Sequence, residues 1–185
     1  MIFIQGTQIE AKNYQKYFEA LQSKFTANKL WVAMVEFPFN VPQPLMIKSR
    51  INDGFKQLKD AGFNYKKETP FFFIGHSLGG VMVQDYVLNK DNQEDMPAKF
   101  AGLVLEGATI LRKNYELVKD SNLISSILTI GGELDGLNRI SRMSESVYFD
   151  EKFNGNGVMR NTHLVLGKIK MNCIFFLEII YLFQL

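Results

Sequence analysis

Cysteine and histidine are scarce in this chain of 185 residues, which contains one cysteine and two histidines. The single Cys173 excludes an internal disulfide and is typical of a reducing compartment. No cysteine and histidine stand at the spacing of metal ligands, so the sequence predicts no zinc site.

The chain also lacks an excess of charge of one sign. Twenty-one Lys and Arg residues against 19 Asp and Glu residues leave a formal net charge of +2, and the positive residues are scattered. A nucleic acid or an anionic membrane surface is therefore not a predicted partner. The hydrophobic content of 46% and the charged content of 22% are those of an ordinary globular protein, and the length predicts one domain, residues 1–185.

No long hydrophobic run predicts a membrane span. The apolar C-terminal run 173–185 is too short to cross a bilayer and is interrupted by Glu178, so we interpret it as a buried or adhesive terminal element. The whole segment 167–185 is atypical of the domain that precedes it. Met1 is followed at once by apolar residues, without the basic region of a signal peptide, so we expect a cytoplasmic protein.

Strand-like and helix-like segments alternate along the chain. The strands are predicted at residues 2–4, 31–37, 71–74, 101–105 and 125–130, with 164–166 as a further candidate. Residues with helical spacing lie between them, and the polar stretch 89–95 is interpreted as a linker. This alternation predicts βαβ units, and therefore an α/β fold with a mostly parallel central sheet and flanking helices.

The most informative motif is Gly-His-Ser-Leu-Gly at residues 75–79. It follows the wholly apolar run 71–74 and precedes residues with helical spacing. A G-x-S-x-G motif between a strand and a helix is typical of a nucleophile elbow, whose sharp turn exposes the serine above the end of the sheet. We expect Ser77 to be the nucleophile and the backbone N–H of Leu78, at the start of the helix, to stabilise an oxyanion. The side chain of His76 leaves the turn in another direction, so we interpret it as a packing or hydrogen-bonding group.

Two further loops at the same predicted edge of the sheet carry suitable groups. The turn after the first strand is expected to offer a second oxyanion N–H, from Thr7 as the first choice and from Gln8 as the second. The turn after the strand 125–130 contains Asp135, where the acid of a catalytic triad is expected. Glu106, which also ends a strand, is the alternative acid.

On these residues the chain resembles the α/β-hydrolase superfamily, and within it the dienelactone-hydrolase-like and chlorophyllase-like serine esterases. The resemblance covers residues 1–166 and depends on the motif at 75–80, the turn 6–8, and residues 132–137 before a helix at 139–147. It implies hydrolysis of a small-molecule carboxylic ester through an acyl-serine intermediate, without a metal or cofactor. In that reaction Ser77 would attack the carbonyl and Asp135 would orient a histidine, while Leu78 and Thr7 would stabilise the oxyanion.

The chain departs from the family at both ends. Strands that usually precede the first one are absent from the sequence, and no histidine follows residue 167. If 164–166 is the last strand, His163 precedes it and lies at the wrong end to be the base; if 158–159 is the last strand, His163 follows it. We expect the first arrangement, with His163 not hydrogen-bonded to Ser77. The alternative function is then a hydrolase-like protein that lacks a working base and is inactive or only binds.

Overall fold

A computed structural model describes residues 1–26, 28–118, 124, 126–131 and 138–153. The strands of this part are β1 (Ile2–Ile4), β2 (Ala33–Val35), β3 (Pro70–His76), β4 (Lys99–Glu106) and β5 (Ile127–Ile130). The α-helices are α1 (Gln15–Lys24), α2 (Ile47–Asp60), α3 (Leu78–Val87), α4 (Lys90–Asp95), α5 (Tyr115–Val118) and α6 (Ile140–Phe153). The described residues also include short 3-10 segments, among them Ala11–Tyr14 before α1.

These five strands form one parallel sheet in the order β2-β1-β3-β4-β5. The prediction of an α/β fold with a parallel sheet is therefore confirmed. The predicted interior position of residues 71–74 is confirmed as well, because β3 pairs with β1 on one side and β4 on the other. All five strands end at the same edge of the sheet, which is where parallel α/β sheets hold their ligands.

Alternating side chains of the strands pack into two clusters, one on each face of the sheet. In β1, Ile2 and Ile4 join the larger cluster, together with Phe55 of α2 and Val83 of α3. Phe3 points to the other face and packs against Phe18 of α1, with ring centroids 4.9 Å apart. Helices α2 and α3 therefore cover one face of the sheet, and α1 covers the other.

Some predicted boundaries differ from the structure. The strand predicted at 31–37 is shorter, and the one predicted at 71–74 extends over Pro70–His76. The stretch 89–95, predicted to be a linker, contains the helix α4. Its N-cap residue Asn89 accepts a hydrogen bond from the N–H of Asn92 at 3.1 Å, and no residue of α4 is buried. A short polar helix without a buried face has no hydrophobic periodicity, so the sequence pattern could not predict α4.

In the ranges described above, no helix has the length and apolar character needed to cross a membrane. The predictions made for 158–159, 164–166 and 167–185 fall outside the described residues.

Candidate functional site

Ser77 is the single residue between β3 and α3, and its backbone is strained. Its φ of 51° and ψ of −120° are rare for a residue with a side chain. Its N–H donates to the carbonyl oxygen of Glu106 at 2.8 Å, and its own carbonyl accepts from the N–H of Val81 at 3.2 Å. The strand, turn and helix predicted around Ser77 are present, and hydrogen bonds on both sides hold the turn.

The first turn of α3 lies directly against the end of β1. A Cβ atom at Gly79 would come within 2.3 Å of the carbonyl oxygen of Gln5 and 2.4 Å of that of Ile4, so only glycine allows this approach. Both contacts are with backbone atoms, which cannot rotate away. The turn that follows β1 is therefore a close neighbour of the elbow.

In that turn, hydrogen bonds occupy the N–H groups on either side of Thr7. The N–H of Gly6 donates to the hydroxyl of Tyr14 at 3.2 Å, and the N–H of Gln8 donates to the carbonyl oxygen of Asn40 at 2.8 Å. Within the described residues, the N–H of Thr7 donates to no acceptor, and Thr7 is exposed. The occupied N–H of Gln8 makes it the weaker of the two sequence-derived candidates for an oxyanion donor.

Backbone strain is concentrated at this edge of the sheet. The non-glycine residues with positive φ in the described part of the chain are Gln8, Phe39, Asn40 and Ser77. They lie in the loops that follow β1, β2 and β3. Strained backbone persists only where surrounding structure holds it, and it clusters at functional sites. Three of these four residues lie outside the serine motif, so the loops after β1 and β2 mark this edge as a candidate site in addition to Ser77.

Asn40 is a residue of this edge that sequence reasoning missed. Its φ is 54°, its carbonyl oxygen accepts from Gln8, and its Oδ1 accepts from Nε2 of the buried Gln5 at 3.3 Å. The loop after β2 therefore supports the turn after β1. Asparagine tolerates the left-handed region better than other side chains, so its place between Pro38 and Pro42 was the available signal.

The side chains of His76 and Glu106 lie on the α1 face of the sheet. These residues are register partners at the ends of β3 and β4. His76 Nδ1 lies 2.8 Å from the hydroxyl of Tyr14, and the hydroxyl of Tyr17 donates to Oε1 of Glu106 at 2.5 Å. His76 is thus held on the side of α1, away from α3, in agreement with its interpretation as a hydrogen-bonding group.

The environment of Glu106 disfavours its role as a triad acid. Burial raises the pKa of Glu106 to about 7, and the hydrogen bond from Tyr17 offsets only part of this effect. A triad acid must stay ionised to stabilise the histidine cation, whereas this carboxyl group keeps its proton to near neutral pH. Burial, with the nearby Glu106 carboxylate, also raises the pKa of Tyr17 well above its usual value. The buried carboxyl group is therefore paired with the half-buried Tyr17 on the α1 face.

The remaining predicted triad residues, Asp135 and His163, lie outside the described residues. The described flank of the Asp135 loop is Gly131, which follows β5 and is buried against Met143 of α6. Since β5 is parallel to β4 and adjacent to it, this loop starts at the same edge of the sheet as Ser77.

No protein-family model matches the chain, and no curated protein matches it significantly. The fold and the site together describe an α/β protein with a parallel sheet and a strained serine at its carboxyl edge.

Proposed function

We propose that the chain is a serine hydrolase of the α/β-hydrolase type, which cleaves a carboxylic ester through an acyl-serine intermediate. The observation that carries this proposal is the strained backbone of Ser77, at the carboxyl end of an interior strand and the start of a helix. Such a turn exposes the hydroxyl group and keeps it rigid, and both are needed for a serine to act as a nucleophile.

In the proposed reaction, Ser77 Oγ bonds to the carbonyl carbon of the ester and loses its proton to a base. The bond from that carbon to the alkoxy oxygen then breaks, and the alcohol leaves with a proton from the same base. Water, deprotonated in the same way, attacks the acyl-serine and releases the carboxylic acid with regeneration of the hydroxyl group. No metal or cofactor takes part in the proposed steps.

The backbone N–H groups of Leu78 and Thr7 are the proposed donors to the oxyanion. Leu78 is the first residue of α3, where N–H groups lack acceptors within the helix. Thr7 has the corresponding property in the turn after β1, because its N–H donates to no acceptor within the described residues. The close contact between Gly79 and the end of β1 supports the pairing of these two segments.

Asp135 is the proposed acid, and His163 is the candidate base, although the strand pattern at 164–166 favours a position away from Ser77. The chain order of Ser77, Asp135 and His163 supports this assignment, because the α/β-hydrolase triad follows that order. His76 is bonded to Tyr14 on the other face of the sheet, which leaves His163 as the remaining histidine. A hydrolase-like protein without a working base stays the alternative, favoured by the position of His163 before the apolar residues 164–166.

Labelling with a fluorophosphonate probe tests the proposal, because the probe reacts with an activated serine. We expect a single adduct on Ser77 by peptide mass spectrometry, its loss in Ser77→Ala, and hydrolysis of p-nitrophenyl acetate that depends on Ser77. An adduct on Ser121, Ser125 or Ser126 would contradict the proposal. Loss of turnover in Asp135→Ala and in His163→Ala would support the triad, whereas unchanged slow turnover in His163→Ala would support the alternative.

We further propose a small-molecule ester as the substrate and the cytoplasm as the location. The resemblance to serine esterases supports the first statement, and the single cysteine supports the second.

A further inference from the structure

The hydroxyl of Tyr14 joins two segments that are distant in sequence. It accepts a hydrogen bond from the N–H of Gly6 at 3.2 Å, and it lies 2.8 Å from Nδ1 of His76. Gly6 immediately precedes Thr7, and His76 immediately precedes Ser77. In the proposed reaction the N–H of Thr7 binds the carbonyl oxygen of the ester, and the hydroxyl of Ser77 attacks its carbon. The Tyr14 oxygen therefore connects the residues that directly precede these two groups.

The hydrogen bond from Gly6 has a fixed direction, because only the N–H group can donate. For the second bond we assign the hydroxyl proton to the side of His76 Nδ1. In a neutral ring this assignment places the ring proton on Nε2. Burial raises the pKa of Tyr14, so its hydroxyl keeps this proton at neutral pH.

The contact between the turn and the histidine ring leaves no spare room. A Cβ atom at Gly6 would lie 2.5 Å from His76 Nδ1 and 3.3 Å from the hydroxyl of Tyr14. The Tyr14 ring is itself held by the fully buried Phe3, with ring centroids 4.5 Å apart. The connection between the turn and the elbow is therefore tightly packed as well as hydrogen-bonded.

We propose that Tyr14 is a positioning residue, which fixes the N–H of Thr7 relative to Ser77 and to the N–H of Leu78. This inference rests on the proposed function. Oxyanion donors act only when they lie within about 2.7–3.1 Å of the position of the developing charge. A misplacement of about 1 Å can lower a rate by about 100-fold, so a bond that sets this distance affects the chemical step.

The test compares Tyr14→Phe with Tyr65→Phe as a matched control. Tyr65 also donates one hydrogen bond, to the carbonyl oxygen of Phe55 at 3.3 Å, but it packs against Phe71 near the other end of β3. The rate of adduct formation on Ser77 is followed by intact-protein mass spectrometry over a range of fluorophosphonate concentrations. This range separates the maximal rate constant from the half-saturating concentration.

In Tyr14→Phe we expect the maximal rate constant to fall about 10-fold. This loss is smaller than the roughly 10²- to 10³-fold loss that follows removal of an oxyanion donor, because the N–H of Thr7 is displaced and not removed. The half-saturating concentration should change less than about 2-fold, because the probe's binding surface is intact. Tyr65→Phe should label at the wild-type rate. Equal rates in Tyr14→Phe and the wild type would overturn the inference while leaving the function of Ser77 intact. Absence of labelling in the wild type would instead contradict the proposed function.

His76→Leu tests the same connection from the other side and keeps the test decisive if Tyr14→Phe does not fold. We expect a similar fall in the maximal rate constant, and no further fall in the double variant, because both changes break one connection. Additive losses would overturn the inference. The ring ¹⁵N shifts of His76 provide a second readout, with the His76→Leu spectrum assigning them. At mildly alkaline pH we expect the shift of Nδ1 to be that of an unprotonated, hydrogen-bonded nitrogen, and we expect this shift to change in Tyr14→Phe. A protonated Nδ1 would contradict the assigned bond.

Discussion

The backbone N–H of Ser77 donates to the carbonyl oxygen of Glu106, 2.8 Å away. This bond extends the ladder between β3 and β4 by one residue beyond the last paired positions, His76 and Glu106. The neighbouring strand thus anchors the strained serine through its own last residue. The carboxyl group of that same residue is buried against Tyr17, so the anchor of the elbow contains a group that titrates near neutral pH.

The stability of the fold is expected to depend on the protonation of Glu106. Because its pKa rises from 4.5 to about 7 on folding, the folded state retains a proton that the unfolded chain releases. The stabilisation is fully present below pH 4.5 and is lost as the pH rises through about 7. At about 1.4 kcal/mol for each pKa unit, the loss is on the order of 3 kcal/mol.

Denaturant unfolding of the wild type and of Glu106→Gln, measured below pH 4.5 and above pH 7, tests this dependence. The glutamine variant cannot ionise, so its free energy of unfolding should change less across that range than that of the wild type. Identical pH dependence in the two proteins would contradict the buried, protonated state of Glu106.

Ser77→Gly and Ser77→Ala should differ in stability although both lack the nucleophile. Alanine keeps the Cβ atom and hence the strain at φ 51°, whereas glycine adopts this conformation freely. We expect Ser77→Gly to be more stable than Ser77→Ala by about 1 kcal/mol in thermal or denaturant unfolding. A less stable glycine variant would show that the turn is not strained.

Gly79→Ala should disrupt the packing of α3 on β1. Its Cβ atom would meet two backbone carbonyl oxygens at 2.3 and 2.4 Å, so the helix or the strand must shift. We expect a loss of about 3 kcal/mol in the free energy of unfolding. Gly62→Ala is the control, because Gly62 has a positive φ but no atom near its Cβ position; it should lose about 1 kcal/mol. Equal losses would contradict the close approach at Gly79.

Gln84 of α3 is expected to hold the loop that follows β4. Its fully buried side chain donates to the carbonyl oxygens of Gly80 and Thr109, and accepts from the N–H of Leu111 and from Asn114 Nδ2. Replacing Gln84 by leucine leaves buried polar groups without partners, so the free energy of unfolding should fall by about 3 kcal/mol. Gln57→Leu, on the exposed face of α2, is the control and should change it by less than about 0.5 kcal/mol. Similar effects of the two substitutions would exclude this role of Gln84.

The elements whose signal is local were predictable from the sequence. The apolar run 71–74, the glycines around Ser77 and the helical spacing after it define the elbow within about 20 residues, since a strand and a helix have different periods. The same periodicity predicted the alternation of strands and helices, and therefore the parallel sheet. It did not predict α4, because its residues are polar on every side and leave no periodic trace.

The hydrogen bonds that hold the candidate site in place depend on the tertiary structure alone. The bond between Tyr14 and His76 spans 62 residues, and the bond between Tyr17 and Glu106 spans 89. Such contacts depend on which strands are neighbours in the sheet and on which face a crossover helix packs. A periodic pattern carries neither kind of information, because hydrophobic residues of similar spacing fit any strand order. The sequence thus identified the serine and its local turn, and only the packing of α1 and of the loop after β2 revealed the residues that support it.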